Sequence, residues 1–572
     1  MQKPTELLLV EQELDVKFSL INSLDAAGIE RLSNREHGLF AYSLNVQNKV
    51  NALCLLSPIP SGTAVLVNLN IISHLRHLEK LFVIGCGCSD ISVLAHFHQL
   101  KELDLSENRI VDISALKHCN KLVELDLSDN SIIDIVPLKY CPELSRLYLS
   151  KNRINDISPL KSCSNLTILY VSDNQIEDLA PLTYCQKLQK LYAVENKITD
   201  LTPLGNCHEL MQLSLRRNRI ANIDAIATCT NLTDVDLSEN SITDIEAASS
   251  WLRLKELNFS DNRISDIKAL GCCSILSKLF MWRNEVAEIS PLGQCTSLAV
   301  LNLSHNHIED ITVIGGLSQL RKLFLWNNRI KNINPIASCK KLIRLDAPGN
   351  RINDISVVGD LQDLRKLLLW NNNITDISSL ANCKEIVELD LSNNLISDIN
   401  PLKNCHLLSR LNISKNNIKD ISSISELLHL KELGLAGNPI SDFALLINRF
   451  NHLELYLEKD DLASLPSDNF TLISSGIRPI RMEVLEKRDH SFLYDRTKNI
   501  VIKIKDLYKS RRDVVSDDKN TDSAGGISSY FASAIREREV EFTSLKSELQ
   551  LLLAKTVEDG APLDEEYWIL SH

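Results

Sequence analysis

Glycine is scarce in this 572-residue chain, with 18 residues in all and few of them clustered. No GxxxxGK phosphate loop, HExxH helix or GxSxG elbow occurs, so the usual signatures of nucleotide, zinc-protease and serine-hydrolase chemistry are missing. A surplus of positive charge is missing as well. The formal net charge of −12 argues against a general nucleic-acid binder, which needs a basic surface to displace counterions. No apolar run approaches the roughly 18 to 20 residues of a membrane span. The short run from Leu7 to Val10 is followed by Glu11 and Glu13, which does not suit a secretory signal. These absences predict a cytoplasmic, non-enzymatic protein with no cofactor, no nucleic-acid partner and no membrane insertion; nuclear or cytoskeletal association is compatible with the same reading.

Cysteine is plentiful, but its placement excludes a disulfide framework. Of the 15 cysteines, eleven recur at one interval: Cys119, Cys141, Cys163, Cys185, Cys207, Cys229, Cys273, Cys295, Cys339, Cys383 and Cys405. Equivalent sites form a ladder, not pairs, and a free cysteine behaves as a small buried hydrophobe. Such a ladder suits a reducing compartment. Cys86, Cys88, Cys272 and Cys273 lack the Cys-x2-Cys spacing of zinc sites and are expected to be structural.

The interval is 22 residues, and it runs seventeen times from Leu78 to about Asn451 without insertion or deletion. A typical unit, beginning at Leu122, reads LVELDLSDNSIIDIVPLKYCPE. Positions 4 and 6 alternate with polar residues, which is a strand with one buried face. Position 9 is Asn in sixteen units, a column of buried amides able to bond the turning backbone and one another. Position 13 is Asp in fourteen units. Ser, Thr or Asn at position 15 before Pro at position 16 predicts an N-cap and a short helical turn. One unit cannot bury its apolar side alone, so the units must stack. The pattern predicts an α/β solenoid with a parallel sheet on the concave side and short helical or 3-10 turns on the convex side.

The motif resembles the 22-residue subclass of leucine-rich repeats. ITDISSLANC (374–383) and LISDINPLKNC (395–405) are similar to internalins, and the same subclass includes a regulatory subunit of protein phosphatase 1. The resemblance implies a horseshoe that binds a protein partner on its concave face, as a scaffold or regulatory subunit. An exported, internalin-like adhesin or receptor is the alternative. Two internalin features, a secretion signal and a C-terminal wall anchor, are not read in the sequence, and the cysteine ladder is a third expected difference.

Flanking the array, residues 1–55 are expected to form an N-terminal cap and 56–77 a degenerate first repeat. Residues 452–470 read as a C-terminal cap, and 471–526 as a basic, partly strand-forming segment and linker. An amphipathic helix over 527–557 offers possible helix-mediated contact, and 558–572 is a tail.

Residues the fold does not require point to the binding site. Position 7 is Ser in nine units, which marks it as solvent-facing, yet it is Trp282, Trp326 and Trp370 in alternate repeats. These rings are expected roughly 10 Å apart. Phe280 and Phe324 stand at position 5 beside them, and Lys278, Lys322 and Lys366 at position 3. Exposed aromatics anchor interfaces, and the lysines would add cation–π contacts or recognition of an acidic partner. Tyr148, Tyr170 and Tyr192 form a second patch at position 5. Asp104, Asp126, Asp236, Asp346 and Asp390 add acidic points, and Arg216, Arg217 and Arg219 cluster in one unit. His305 and His307 read as incidental, and no metal site is expected.

Overall fold

The structure is a computed structural model that describes residues 4–14, 16–20, 39–45, 49–56 and 68–440, together with 442, 446 and 454–456. The chain divides into two compact units, Met1–Glu454 and Leu455–His572. The first is an open solenoid. The basic segment, the 527–557 helix, the 558–572 tail and almost all of the expected C-terminal cap lie outside the described residues.

Each regular unit after the first contributes a three-residue strand at positions 3 to 5, such as Glu124–Asp126, and successive strands pair in parallel. The register is one repeat throughout, with Leu125 opposite Leu147 and Leu147 opposite Leu169. Positions 1, 4, 6, 11, 14, 17 and 20 are buried in unit after unit, so the core is one continuous apolar column.

The residue at position 8 turns the chain away from the sheet with positive φ. Gly85, Gly349 and Gly437 occupy it in three units (φ 66°, 64° and 68°), but Glu107, Lys151, Arg217 and His305 adopt the same conformation. For residues with a Cβ this costs about 1 kcal/mol or more. The neighbouring Asn at position 9 supplies the compensation. Asn130 donates from Nδ2 to the carbonyls of Leu105 (2.9 Å) and Leu127 (3.1 Å), and its Oδ1 accepts from the Ile110 N–H at 2.9 Å. The same set recurs at Asn152, Asn306 and Asn328. The amides therefore bond backbone in their own and the preceding repeat, rather than each other as the sequence allowed.

The convex side is built from five-residue 3-10 turns at positions 15 to 19, such as Val136–Tyr140 and Ser158–Ser162. Their capping differs from the expectation. Ile135 and Ile157 hold the cap position without a side-chain bond. The Asp at position 13 reaches forward instead: Asp134 accepts from the Val136 N–H, and Asp156 from the Ser158 N–H, both at 2.7 Å. Position 15 only adds a hydroxyl bond to that carboxylate, as from Ser158 at 2.9 Å. A carboxylate two residues before the turn reaches its first free N–H, so the hydroxyl is not needed as the cap.

The cysteine ladder lies inside this layer. Cys119 and Cys141 donate from Sγ to the carbonyls of Leu94 (3.4 Å) and Leu116 (3.5 Å) in the preceding repeats. Where Trp251 replaces cysteine, its buried indole N–H makes the equivalent bond to the Ile226 carbonyl at 3.0 Å. Burial pushes the thiols up to about 12 at Cys119 and Cys141 and about 11 at Cys339, so they stay protonated and unreactive. All 15 cysteines are free, and only Cys272 is exposed.

At the N-terminal end, Leu39–Leu44 pairs antiparallel with Val50–Leu56, which in turn runs parallel to Lys80–Ile84. Ala52 faces Lys80, so the unit before Leu78 spans 28 residues rather than 22. Its turn, Leu69–Ile72, falls in the stretch expected as a degenerate repeat, while its strand falls in the stretch expected as cap. Ala41, Ala52, Cys54, Leu56 and Phe82 pack together at this junction.

Candidate functional site

Because positions 4 and 6 face the core, positions 3, 5 and 7 form three outward columns on the concave sheet. Trp282, Trp326 and Trp370 all stand in the position-7 column, each half-buried. Their spacing differs from the even row expected. Trp326 and Trp370 meet edge to face with centroids 6.2 Å apart. Between them position 7 is Pro348, which is buried. Proline projects little from the sheet, so the flanking rings lean together and close over it. Trp282 stands apart, with the Arg283 guanidinium 5.1 Å from its ring centre. In the next repeat Ser304 occupies the column, and its Oγ accepts from the Trp326 backbone N–H at 3.3 Å. The Trp326 indole N–H is buried with no hydrogen-bond partner among the described residues.

The aromatic residues at position 5 fare unequally. Phe280 is half-buried, but Phe324 is 3% exposed and cannot serve as a contact. The Arg344 guanidinium lies 4.9 Å from its ring centre and is held there by Asp346, to which it donates at 2.7 Å. Arg344 and Asp346 occupy positions 3 and 5 of one strand, so their ion pair forms a lid over the Phe324 ring. The lysines also depart from expectation. Lys278 pairs with Glu256 at 2.7 Å and Lys366 with Glu388 at 2.9 Å. Carboxylates one strand away, in the same column, pair with these ammonium groups. Lys322 is half-buried beside the capped phenylalanine. Reading column 3 across neighbouring repeats, rather than within one, reveals both Lys–Glu pairs. Nothing in the repeat motif marks Arg283 or Arg344.

Tyr148, Tyr170 and Tyr192 form a continuous stack. Their centroids are 5.1 and 4.4 Å apart, and the second pair is within 3° of parallel. The rings cover one another's faces and offer mainly edges outward, so this patch is more a wall than an open platform. Toward the N-terminus, Asp104 and Asp126 lie side by side in register. Burial, with repulsion between the two adding at Asp126, pushes Asp104 up to about 6 and Asp126 up to about 7, despite bonds from Ser106 and Ser128. Toward the C-terminus, Arg216 and Arg217 both bind Glu239, and Arg217 also binds Glu195. His305 is half-buried, and burial together with Arg283 lowers its pKa, leaving it neutral at physiological pH. Among the described residues no group of three His, Cys, Asp or Glu side chains could hold a metal ion. No described helix is long and apolar enough to cross a membrane.

A sheet that satisfies its own backbone and still presents variable side chains in three columns makes a repeat solenoid suited to binding a protein. Models described as leucine-rich repeats in two copies match residues 98–140, 142–184 and 362–404, and a single-repeat model matches 228–245 and 294–311. The structure of an internalin, InlF from Listeria monocytogenes, is 33% identical over 56% of this chain and 89% of that one, with a TM-score of 0.50. The chain belongs to the leucine-rich-repeat family. The functional domain of InlJ from the same organism shares 19% identity over 59% of this chain and 73% of that one (TM-score 0.52) and is described as including a cysteine ladder. The ladder therefore does not set this chain apart from internalins as expected. The Arabidopsis receptor kinase HAESA, solved with the peptide hormone IDA and the co-receptor SERK1, shares 19% identity over 73% of this chain and 84% of that one (TM-score 0.53). A search of curated proteins returned no significant match.

Proposed function

We propose that the chain is a non-enzymatic scaffold or regulatory subunit of the cytoplasm, and that it grips a protein partner through the repeats from 276 to 385. One observation carries this reading. Position 7, which the fold fills with serine, holds three half-exposed tryptophans in one column, two of them in contact. Aromatic anchors in a partly desolvated setting are where interfaces concentrate their free energy. The tyrosine stack serves as a secondary wall on the same face.

The test is replacement of Trp282, Trp326 and Trp370 with Ala in the full chain. Hydrogen exchange of a captured complex should show protection at the strands 278–280, 322–324 and 366–368. The variant should keep its circular-dichroism spectrum while losing that protection and at least 100-fold in affinity. Protection confined to the convex turns would move the binding site elsewhere.

The second reading is an exported binder of the internalin kind, favoured by the 33% identity to InlF across most of that structure. Cell fractionation of a tagged chain separates the two readings. Recovery with the surface or secreted fraction supports the second, and recovery with the cytosol the first.

A further inference from the structure

The identity of the ligand at the tryptophan face is written in charge, and the reading that follows rests on the function proposed above. Every one of the seventeen regular units carries Asp or Glu except one. Residues 320–341, the unit of Trp326, hold six cations (Arg321, Lys322, Arg329, Lys331, Lys340 and Lys341) and no carboxylate. The fold does not demand this. Position 13 needs an acceptor for the next turn, and Asn332 provides it, accepting from the Asn334 N–H at 2.9 Å. The amide keeps the structural bond while removing the charge.

One of these cations and one from the unit 364–385 stand in the open. Arg321 and, two strands on, Arg365 stand at position 2, the leading edge of the sheet. Both are exposed, and neither has an ion-pair partner among the described residues. Arg321 also lines an open groove of about 530 Å³ together with Ala299, Ile343, Gln319, Lys341 and Asp363. Lys341 donates to Gln319 at 2.6 Å, a neutral partner that leaves its charge in place. The arginines thus repeat with the same two-strand period as Trp326 and Trp370, at the other end of the same strands. Positions 2 and 7 are separated by about five residues of extended chain, or roughly 17 Å.

We infer that this face takes an acidic, extended segment of a protein partner. An apolar side chain would rest on the Trp326–Trp370 pair, with carboxylates about five residues away over Arg321 and Arg365. The buried Trp326 N–H is a donor that a backbone carbonyl of the segment would satisfy once the rings part. Discrete carboxylates suit the face better than a continuous polyphosphate. Asp363 edges the groove, Asp346 and Glu388 lie on the adjoining strands, and the chain as a whole is acidic.

The experiment uses the full chain and three fluorescent probes measured by anisotropy: a 15-residue peptide alternating Asp/Glu clusters with Leu and Phe, its Lys/Arg counterpart with the same apolar pattern, and an oligo(dT) of 15 nucleotides. The acidic peptide should bind at least tenfold more tightly than the basic one, and its affinity should fall with salt. Arg321→Glu with Arg365→Glu should weaken the acidic probe at least tenfold without changing the melting temperature. Trp326→Ala with Trp370→Ala should weaken both peptides. Equal binding of the two peptides, with loss in the tryptophan variant alone, would overturn the acidic preference and leave the aromatic site standing. Retention of acidic-peptide binding in the tryptophan variant would instead overturn the site itself. Preferential binding of oligo(dT) would reassign the face to nucleic acid.

Discussion

Two repeats of this solenoid are rich in arginine or lysine, and they use the charge in opposite ways. In 210–231, Arg216 is 2% exposed and donates from Nε to Glu239 at 2.8 Å, while Arg217 bridges Glu239 and Glu195. In 320–341 the exposed Arg321 meets no carboxylate among the described residues. Both units replace the position-13 Asp with Asn, and both asparagines keep the turn bond, at 2.7 Å to Asp224 and 2.9 Å to Asn334. The turns are therefore equivalent, and the difference lies one repeat away. Arg216 and Arg217 stand at positions 7 and 8, beside Glu195 and Glu239 at position 8 of the flanking units, whereas Arg321 stands at position 2, beside Ala299 and Ile343. A cluster of cations marks a binding surface only where the neighbouring repeats leave it unneutralised.

Arg216→Ala is the strongest test of that contrast. It removes one partner of a buried pair, so unfolding in denaturant should show a loss of about 3 kcal/mol. Burial alone would raise the pKa of Glu239, but Arg216 and Arg217 outweigh it and hold the carboxylate below its usual range. The stabilisation is therefore fully present above the ordinary glutamate value of about 4.3 and is lost as pH falls through the lower value of the folded state. A loss of equal size at pH 7 and in acid that protonates the carboxylate would contradict the ion-pair assignment.

The acidic end of the face should move in the opposite sense. Asp104 and Asp126 have pKa values raised to about 6 and about 7, so the native state binds more protons than the unfolded chain between about pH 4 and pH 7. Stability then falls as pH rises through that window. Glu124 adds to the repulsion at both carboxyls, and Glu107 at Asp104. Asp126→Asn should raise stability by about 1 kcal/mol at pH 8 and have little effect at pH 4. A gain that does not change with pH would show the carboxyls to be independent. The smallest effect belongs to Arg321→Ala, which should stay within about 0.5 kcal/mol of the parent in the same denaturation assay. A cost near that of Arg216→Ala would mean that Arg321 holds the fold together after all.

The 22-residue interval determined most of this architecture by itself. Each element contacts its equivalent one repeat away, so a residue's place in the repeat sets both its burial and its partner. Leu125 meets Leu147, Asn130 reaches the carbonyl of Leu105, and Cys141 reaches that of Leu116 for this reason. The N-terminal junction was less legible because its unit spans 28 residues and its outer strand is antiparallel. The outward columns were legible as positions but not as contacts. Only the tertiary structure decided that Phe324 lies beneath Arg344, that Trp326 and Trp370 close over Pro348, and that Lys278 and Lys366 turn to glutamates. Inward side chains have one environment, which the repeat copies from unit to unit. Outward side chains are long and adjustable, and each settles according to whatever the two neighbouring repeats place beside it.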